Sequence, residues 1–191
     1  MTRYSADLEL DVIHGDIKPS NILVFSNTQA SYTAKVADFG YSTWFRREDN
    51  LLLMPRSAPW NAPEHHGQKL QLLDAKRMDV YSFGMLCLWL LFGVETPEIV
   101  PLPPDTTLVD PQTICFELQT TAPEDNLLLV WKYSQNDRLL DWATWLVAEH
   151  GHFTKEIQDG LIEFFRSSLR FDPEKRSTDV SYLLSLLAQK R

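Results

Sequence analysis

Short apolar runs and turn-forming residues alternate over the first part of the chain. Apolar runs at 12–14 and 22–25 are followed by a turn-rich stretch at 26–32 and by a partly alternating run at 33–39. Runs of this length between turn residues are typical of β-strands, so we predict short strands and one hairpin here. Three prolines between 41 and 64 predict an irregular segment.

Helical spacing dominates after residue 64. The run at 80–94 is the most apolar of the chain, but it is shorter than the ~20 residues that span a bilayer, so we predict a buried core helix over 79–93. A cluster of prolines between 95 and 113 predicts a long loop. Spacing predicts further helices over 112–119, 124–134, 137–149, 154–170 and 178–189. The predicted fold class is therefore mainly α with a small β patch, an α+β arrangement.

Composition indicates a folded domain and disfavours some partners. The 191 residues are 44% hydrophobic, which suffices for a core, and the formal net charge is −8. Nucleic acids and anionic membranes both favour a basic surface, so we expect neither as a partner. Cys87 and Cys115 lack zinc-type spacing, and Cys87 is predicted to be a buried thiol. Because the N-terminal stretch has no apolar leader pattern, we expect a soluble intracellular protein, cytoplasmic or nuclear.

Candidate chemistry is concentrated in two stretches, HGDIKPSN at 14–21 and DFG at 38–40. Together they supply two carboxylates, an ammonium group and an amide: Asp16, Asp38, Lys18 and Asn21. Phosphoryl transfer from ATP requires a carboxylate to orient the attacking hydroxyl, a cation near the moving phosphate and oxygen ligands for Mg²⁺. The predicted order of strand, loop, strand and turn lets both stretches converge on one cleft, which predicts phosphate chemistry there.

Three motifs in this order resemble the eukaryotic protein kinase family, serine/threonine type. They are HGDIKPSN at 14–21, DFG at 38–40 and APE at 62–64. The resemblance implies that phosphate is transferred from ATP, with Mg²⁺, to serine or threonine of a protein substrate.

The resemblance also implies a role for each matching residue. Asp16 and Lys18 would be catalytic, because Asp16 would orient the substrate hydroxyl and Lys18 would neutralise charge on the γ-phosphate. Asn21 and Asp38 would hold Mg²⁺. Leu23 would pack below the adenine ring of ATP.

Further matches imply structural and substrate-facing roles. His14 and Phe39 would belong to the apolar stack that links the two lobes of a kinase. Ser57 would face the catalytic Asp16 and Lys18, as the corresponding hydroxyl does in serine/threonine kinases. The position of Lys18, two residues after Asp16, also favours serine/threonine over tyrosine specificity.

Three more matching residues lie far apart in the sequence. Glu64 and Arg176 would form a buried ion pair, so the loss of either should destabilise the fold strongly. Asp79 would open the long central helix and brace the catalytic loop. Its alternative role is that of an N-cap, whose side chain accepts hydrogen bonds from free backbone donors.

Two features depart from the family pattern. Gly15 stands where many members carry an arginine that pairs with a phosphate on the activation loop, so we expect that phosphorylation of Ser42 or Thr43 does not switch the protein by that route. Residues 1–11 do not match the family and contain neither a glycine-rich loop nor a strand lysine. We therefore expect residues 12–191 to form the large, C-terminal lobe of a kinase domain, with the small N-terminal lobe absent and weak or no ATP binding by this chain alone.

Two other functions stay open. A large lobe alone would expose an apolar face, and a non-catalytic interaction module would use that face to bind a partner. A small-molecule phosphotransferase of the aminoglycoside-kinase type also carries HGD with an asparagine five residues later. DFG, APE and the matches at Asp79 and Arg176 favour a protein kinase over that class.

Overall fold

The computed structural model describes residues 12–26, 32–44, 51–93 and 136–188. The predicted proline-rich loop, the two predicted helices after it and Cys115 lie outside these residues. Helices dominate the described residues, beside two small sheets of two strands each. This composition agrees with the predicted α+β class.

The strands form two antiparallel pairs. Their bounds are Val12–Ile13 for β1, Ile22–Ser26 for β2, Tyr32–Val36 for β3 and Thr43–Trp44 for β4. β2 pairs with β3, with Ile22 opposite Val36, which confirms the predicted hairpin. β4 pairs with β1 and was not predicted, because a strand of two residues leaves no detectable alternation. The two pairs place the catalytic-loop stretch and the DFG stretch side by side.

Four helices follow within the described residues. They are α1 at Leu72–Phe92, α2 at Arg138–Glu149, α3 at Lys155–Ser168 and α4 at Val180–Leu187. The last three agree with the helices predicted over 137–149, 154–170 and 178–189. None of the helices in this described part has the length and apolar character needed to cross a bilayer.

The start of α1 differs from the prediction. The helix begins at Leu72 after the N-cap residue Gln71, so the predicted start at residue 79 is wrong. Asp79 consequently lies inside the helix, and its interpretation as an N-cap is wrong as well. The apolar run revealed only the segment buried on several faces, whereas the preceding residues 72–78 are good helix formers with a mixed polar pattern.

The hydrophobic core surrounds α1. Tyr81, Met85 and Leu88 of α1 are buried against a layer that includes Phe164 and Phe165 of α3. Cys87 is partly buried beside this core, and burial raises the pKa of its thiol to about 12, so it is un-ionised at neutral pH. α3 in turn packs against α2 and α4. The core therefore holds α1 rigidly beneath the catalytic loop.

Close approach of α1 and α3 depends on a glycine. A Cβ atom at Gly84 would lie 2.7 Å from the Ser168 hydroxyl oxygen and 2.8 Å from a methyl carbon of Leu169. Both distances are below van der Waals contact, so only glycine lets the two helices approach this closely.

The irregular segment before α1 is anchored at both ends. Leu52 and Leu70 form an antiparallel bridge through reciprocal backbone hydrogen bonds of 2.8 Å. Leu52, Met54, Ala62 and Leu70 are buried against the core. This loop therefore has a fixed path, and it carries Ser57 towards the catalytic loop.

Candidate active site

The loop after β1 is held by Asp79 of α1. The Asp79 carboxylate accepts hydrogen bonds from the backbone amides of His14, at 2.7 Å, and Gly15, at 2.9 Å. Gly15 has a φ of 84°, in the region that favours glycine, and a Cβ there would lie 3.4 Å from the Tyr41 carbonyl oxygen. The two hydrogen bonds fix the direction in which the chain enters residues 16–21.

His14 joins the catalytic loop to the DFG segment. The backbone amide of Asp16 donates to Nδ1 of His14 at 3.2 Å, so the ring hydrogen lies on Nε2 and donates to the Ala37 carbonyl at 3.0 Å. The Phe39 ring meets the His14 ring edge to face, with the centroids 5.2 Å apart. The buried histidine therefore has a structural position between the two motifs.

Four polar side chains converge beyond His14. The Lys18 ammonium lies 2.7 Å from Oδ2 of Asp16 and 3.2 Å from the Ser57 hydroxyl. The Asn21 amide donates to the Asp16 backbone carbonyl at 2.8 Å and to Oδ2 of Asp16 at 3.2 Å. Ser57, 39 residues after Lys18, thus reaches the same cluster. These contacts hold a carboxylate, an ammonium and a hydroxyl within one small space.

Asp16 is ionised in this arrangement. Burial alone would raise the pKa of its carboxyl group, but the hydrogen bonds from Lys18, Ser57 and Asn21 and the charge of Lys18 together lower it below its usual value. A carboxylate stabilised in this way is an effective hydrogen-bond acceptor and a weak base.

Asp38 extends the cluster from the neighbouring segment. The backbone amide of Ala37 donates to the Asn21 carbonyl at 2.8 Å, so Asp38 follows directly after a residue bonded to Asn21. Asp38 is exposed and has a φ of 62°, in the left-handed region that non-glycine residues seldom occupy. Within the described part of the chain, the one hydrogen bond that its carboxylate accepts is a long one of 3.4 Å from the Gly40 amide. The carboxylate therefore remains available to a ligand.

The side-chain oxygen atoms of Asn21 and Asp38 are hard ligands of the type that Mg²⁺ prefers. Both hydrogen bonds of the Asn21 side chain use its nitrogen, which leaves its oxygen free of the Asp16 contacts. Mg²⁺ prefers hard oxygen ligands and usually combines one or two protein carboxylates with phosphate oxygens. No group of three or more His, Cys, Asp or Glu side chains arranged for a metal occurs in the described residues.

Glu64 and Arg176 form a bidentate ion pair. The two terminal nitrogens of Arg176 lie 2.6 and 2.9 Å from the two carboxylate oxygens of Glu64. The guanidinium group also donates to the carbonyls of Arg170 and Phe171, and it lies over the Tyr81 ring. This pair ties the loop that carries Ser57 to the segment before α4.

The predicted adenine-facing residue lies on an open surface. Leu23 is 48% exposed on β2, opposite Lys35 of β3. Phe25 is exposed on the same face of the hairpin, whereas Val24, Tyr32 and Val36 are exposed on its other face. Leu23 is separated from Asn21 by one residue, so an apolar surface adjoins the polar cluster.

Two residues of the site were not predicted in these positions. The Ser42 hydroxyl donates to the His14 carbonyl at 3.1 Å, although the sequence indicated only that a hydroxyl follows DFG. Asn61 is buried and lines a cavity of about 10 Å³ behind Asp16. In the sequence, only the position of this polar residue between Trp60 and Ala62 hinted that Asn61 is buried.

Titration of Asp79 should be visible in the pH dependence of stability. Burial is the larger influence and raises the pKa of Asp79 from 3.8 to about 6, although the two backbone hydrogen bonds lower it. The folded state therefore binds this proton more tightly than the unfolded state. The resulting stabilisation is complete below pH 3.8 and is lost as the pH rises to 6, by an amount on the order of 3 kcal/mol.

Comparison with Asp79→Asn isolates this contribution from those of other carboxyl groups. As the pH rises from 4 to 7, the wild type should lose stability relative to the variant, which has no carboxyl group at this position to titrate. Urea unfolding at several pH values gives this difference, and carbon NMR of the wild-type carboxyl group gives the pKa directly. A flat difference together with a pKa near 4 would contradict the assignment.

Comparison with known proteins gives the family. The sequence profile described as protein kinase domain matches residues 8–188. The chain belongs to the protein kinase domain family. This match confirms the predicted resemblance, and it begins four residues before the predicted boundary at residue 12.

Several serine/threonine kinases are similar to this kinase domain. Serine/threonine-protein kinase CHK1 of Saccharomyces cerevisiae is 31% identical over 175 residues, which are 90% of this chain and 26% of the yeast protein. Serine/threonine-protein kinase/endoribonuclease IRE1a of Arabidopsis thaliana is 27% identical over 183 residues, 93% of this chain and 21% of the plant protein. Human ribosomal protein S6 kinase alpha-6 is 39% identical over 100 residues, 48% of this chain and 13% of the human protein. The kinase domain thus spans about a quarter or less of each of these relatives.

Proposed function

We propose that this chain contributes the catalytic lobe of a serine/threonine protein kinase. The contact of Lys18 with both Asp16 and Ser57 carries the proposal, because it joins the catalytic loop to the loop that would face a substrate. The serine/threonine kinases among its relatives support the same substrate class. The activity of the whole protein is part of this proposal, because the chain spans only about a quarter of the relatives that support it.

In this function Asp16 would orient the hydroxyl of a substrate serine or threonine. Its lowered pKa keeps it ionised, so it accepts the hydrogen of that hydroxyl. A weak base suffices, because the transition state of phosphoryl transfer is loose and needs little early proton removal. The Lys18 ammonium contacts one carboxylate oxygen of Asp16. It would place its positive charge beside the transferring phosphate. Ser57 fixes Lys18 from the opposite side.

Asn21 and Asp38 would hold Mg²⁺ through their side-chain oxygens. Magnesium-bound ATP would supply the phosphoryl group and neutralise charge on its oxygens. Leu23 would contact the adenine ring from the apolar surface next to Asn21. The protein substrate and ATP would thus reach the polar cluster from two different sides.

Substitution of Asp38 tests the metal and nucleotide site. Asp38→Ala should raise the Kd for Mg·ATP at least about tenfold, because a bound Mg²⁺ would lose its carboxylate ligand. Asp141→Ala, which removes an exposed carboxylate from α2, should leave the Kd unchanged. Calorimetry would measure binding to the 191-residue chain and to a fusion that carries a kinase small lobe before residue 12. If neither form binds Mg·ATP or transfers phosphate to protein substrates, the proposed function is wrong.

A second function is favoured by one observation, the large apolar side chains that the β2–β3 hairpin exposes. Val24 is 63% exposed and Tyr32 is 76% exposed, and large apolar surfaces of this kind usually mark interfaces. A non-catalytic interaction module would bind a partner there, either another chain or a further part of the same protein. Charged substitutions at Val24 and Tyr32 would abolish such binding without affecting phosphate chemistry at Asp16.

A further inference from the structure

Arg56 has no acidic partner among the described residues, and it immediately precedes Ser57 of the polar cluster in the chain. It is exposed, and among the described residues no carboxylate lies within ion-pair distance of its guanidinium group. By contrast, Arg77, Arg170 and Arg176 each pair with an acidic side chain. An unpaired arginine keeps all its N–H donors available to a ligand.

Arg56 is exposed on the loop that carries Ser57 and is not part of the core. It immediately precedes Ser57, whose hydroxyl contacts Lys18 at 3.2 Å, and Lys18 contacts Asp16 at 2.7 Å. Its aliphatic part packs along the neighbouring loop, since a Cβ at Gly67 would lie 3.8 Å from Cδ of Arg56. The side chain of Arg56 is exposed, and the next residue in the chain is the serine that contacts Lys18.

The segment 51–71, which carries Arg56, is much less acidic than the chain as a whole. The formal net charge of the chain is −8, yet the segment 51–71 contains only one acidic residue, Glu64, which is neutralised by Arg176. The same segment carries Arg56 and the exposed Lys69. Charges separated by more than about 8 Å are largely screened at physiological salt, so a bound peptide would sense this basic segment more than the distant acidic surface.

We propose that Arg56 selects protein substrates that carry an acidic residue close to the target serine or threonine. A carboxylate on the peptide would accept two parallel hydrogen bonds from the guanidinium fork, a geometry that favours arginine over lysine. This inference rests on the proposed kinase function and adds a substrate class to it. It assigns Arg56 to substrate selection and leaves catalysis to Asp16 and Lys18.

Peptide binding to the 191-residue chain tests the inference without requiring catalysis. Fluorescein-labelled peptides would contain alanine at the target position and a single glutamate at one of the three positions on either side, each compared with glutamine there. Fluorescence anisotropy should show at least about tenfold tighter binding for glutamate at one or more of these positions, and the preference should weaken at high salt. Arg56→Gln should remove the preference, and Arg56→Glu should reverse it in favour of lysine peptides.

The matched control is Arg166→Glu, which changes the charge of an exposed arginine on α3 by the same amount. It should leave the preference intact, because Arg166 lies outside the segment that carries Ser57. Equal binding of glutamate and glutamine peptides to the wild type, or an equal effect of both charge reversals, would overturn the inference.

Phosphate transfer to the corresponding serine peptides separates this inference from the proposed function. Transfer to all peptides at equal rates would leave the kinase function standing and overturn the selection by Arg56. Absence of transfer to every peptide by the chain and by its small-lobe fusion would overturn the kinase function, whereas the binding preference would still be measured independently.

Discussion

Replacement of Arg176 by methionine should lower the free energy of unfolding by about 3 kcal/mol or more. The Arg176 side chain is fully buried, and its removal leaves several buried acceptors without donors. Breaking a buried ion pair from one side typically costs 3–5 kcal/mol. The lower end is expected here, because Glu64 is 25% exposed and water can solvate its carboxylate after the loss. In a chain of this size the melting temperature should fall by on the order of 10 °C.

Urea and thermal unfolding followed by circular dichroism would measure this loss. Arg170→Ala is the matched control, because it breaks an ion pair with Asp137 whose partners are each about one-third exposed. Such partly exposed pairs contribute up to about 1 kcal/mol, so the control should be much milder. Similar losses for both variants would show that the Arg176 network is no more important than a surface pair. Arg176→Lys should fall between the two, since lysine keeps the charge but not the planar fork.

Replacement of Asp16 by asparagine should lower kcat for phosphate transfer by about 10²–10⁴-fold. Asparagine keeps the size of the side chain but cannot accept the hydroxyl proton, and its amide group would present hydrogens to Lys18. Binding of Mg·ATP should change little, because Asn21 and Asp38 supply the proposed metal ligands. This prediction depends on the proposed kinase function, so the form of the protein that transfers phosphate is the one to compare.

Steady-state kinetics with a serine peptide, together with calorimetric binding of Mg·ATP, would separate the two effects. Asp74→Asn is a suitable control, because it removes a carboxylate of similar size from the first turn of α1, where it makes only a 3.7 Å ion pair with Arg77. A fall in kcat that is matched by an equal loss of nucleotide binding would assign Asp16 to the binding site instead. Full activity of the Asp16→Asn variant would show that Asp16 has no catalytic role.

The sequence was most informative where contacts are local or periodic. Asp16, Lys18 and Asn21 lie within six residues, so a loop between two strands necessarily brings them together. The helices after residue 136 followed the spacing of apolar residues closely, because each buries one face against the core. The start of α1 was missed for the converse reason, since its first turns are amphipathic and its later turns are apolar on several sides.

Contacts across long sequence separations could not be derived from spacing. Glu64 and Arg176 are 112 residues apart, and only resemblance to a family suggested their pairing. The left-handed backbone of Asp38 and the hydrogen bond from Ser42 to the His14 carbonyl depend on how two segments meet in space. The packing of these two segments against each other cannot be read from the pattern of residue types in a single sequence. That no carboxylate of the described residues pairs with Arg56 likewise became visible only when its surroundings were known.

Helix α1 connects the site to the core through Arg77 and Asp79. Asp79 holds the amides of His14 and Gly15 with its side chain, while the Arg77 carbonyl accepts a hydrogen bond from Arg176. The loop at 14–21, the Glu64–Arg176 ion pair and α1 are therefore directly linked, and we expect them to unfold together. A substitution that weakens the core should deplete the population of folded molecules, and those that remain folded should keep an intact catalytic loop.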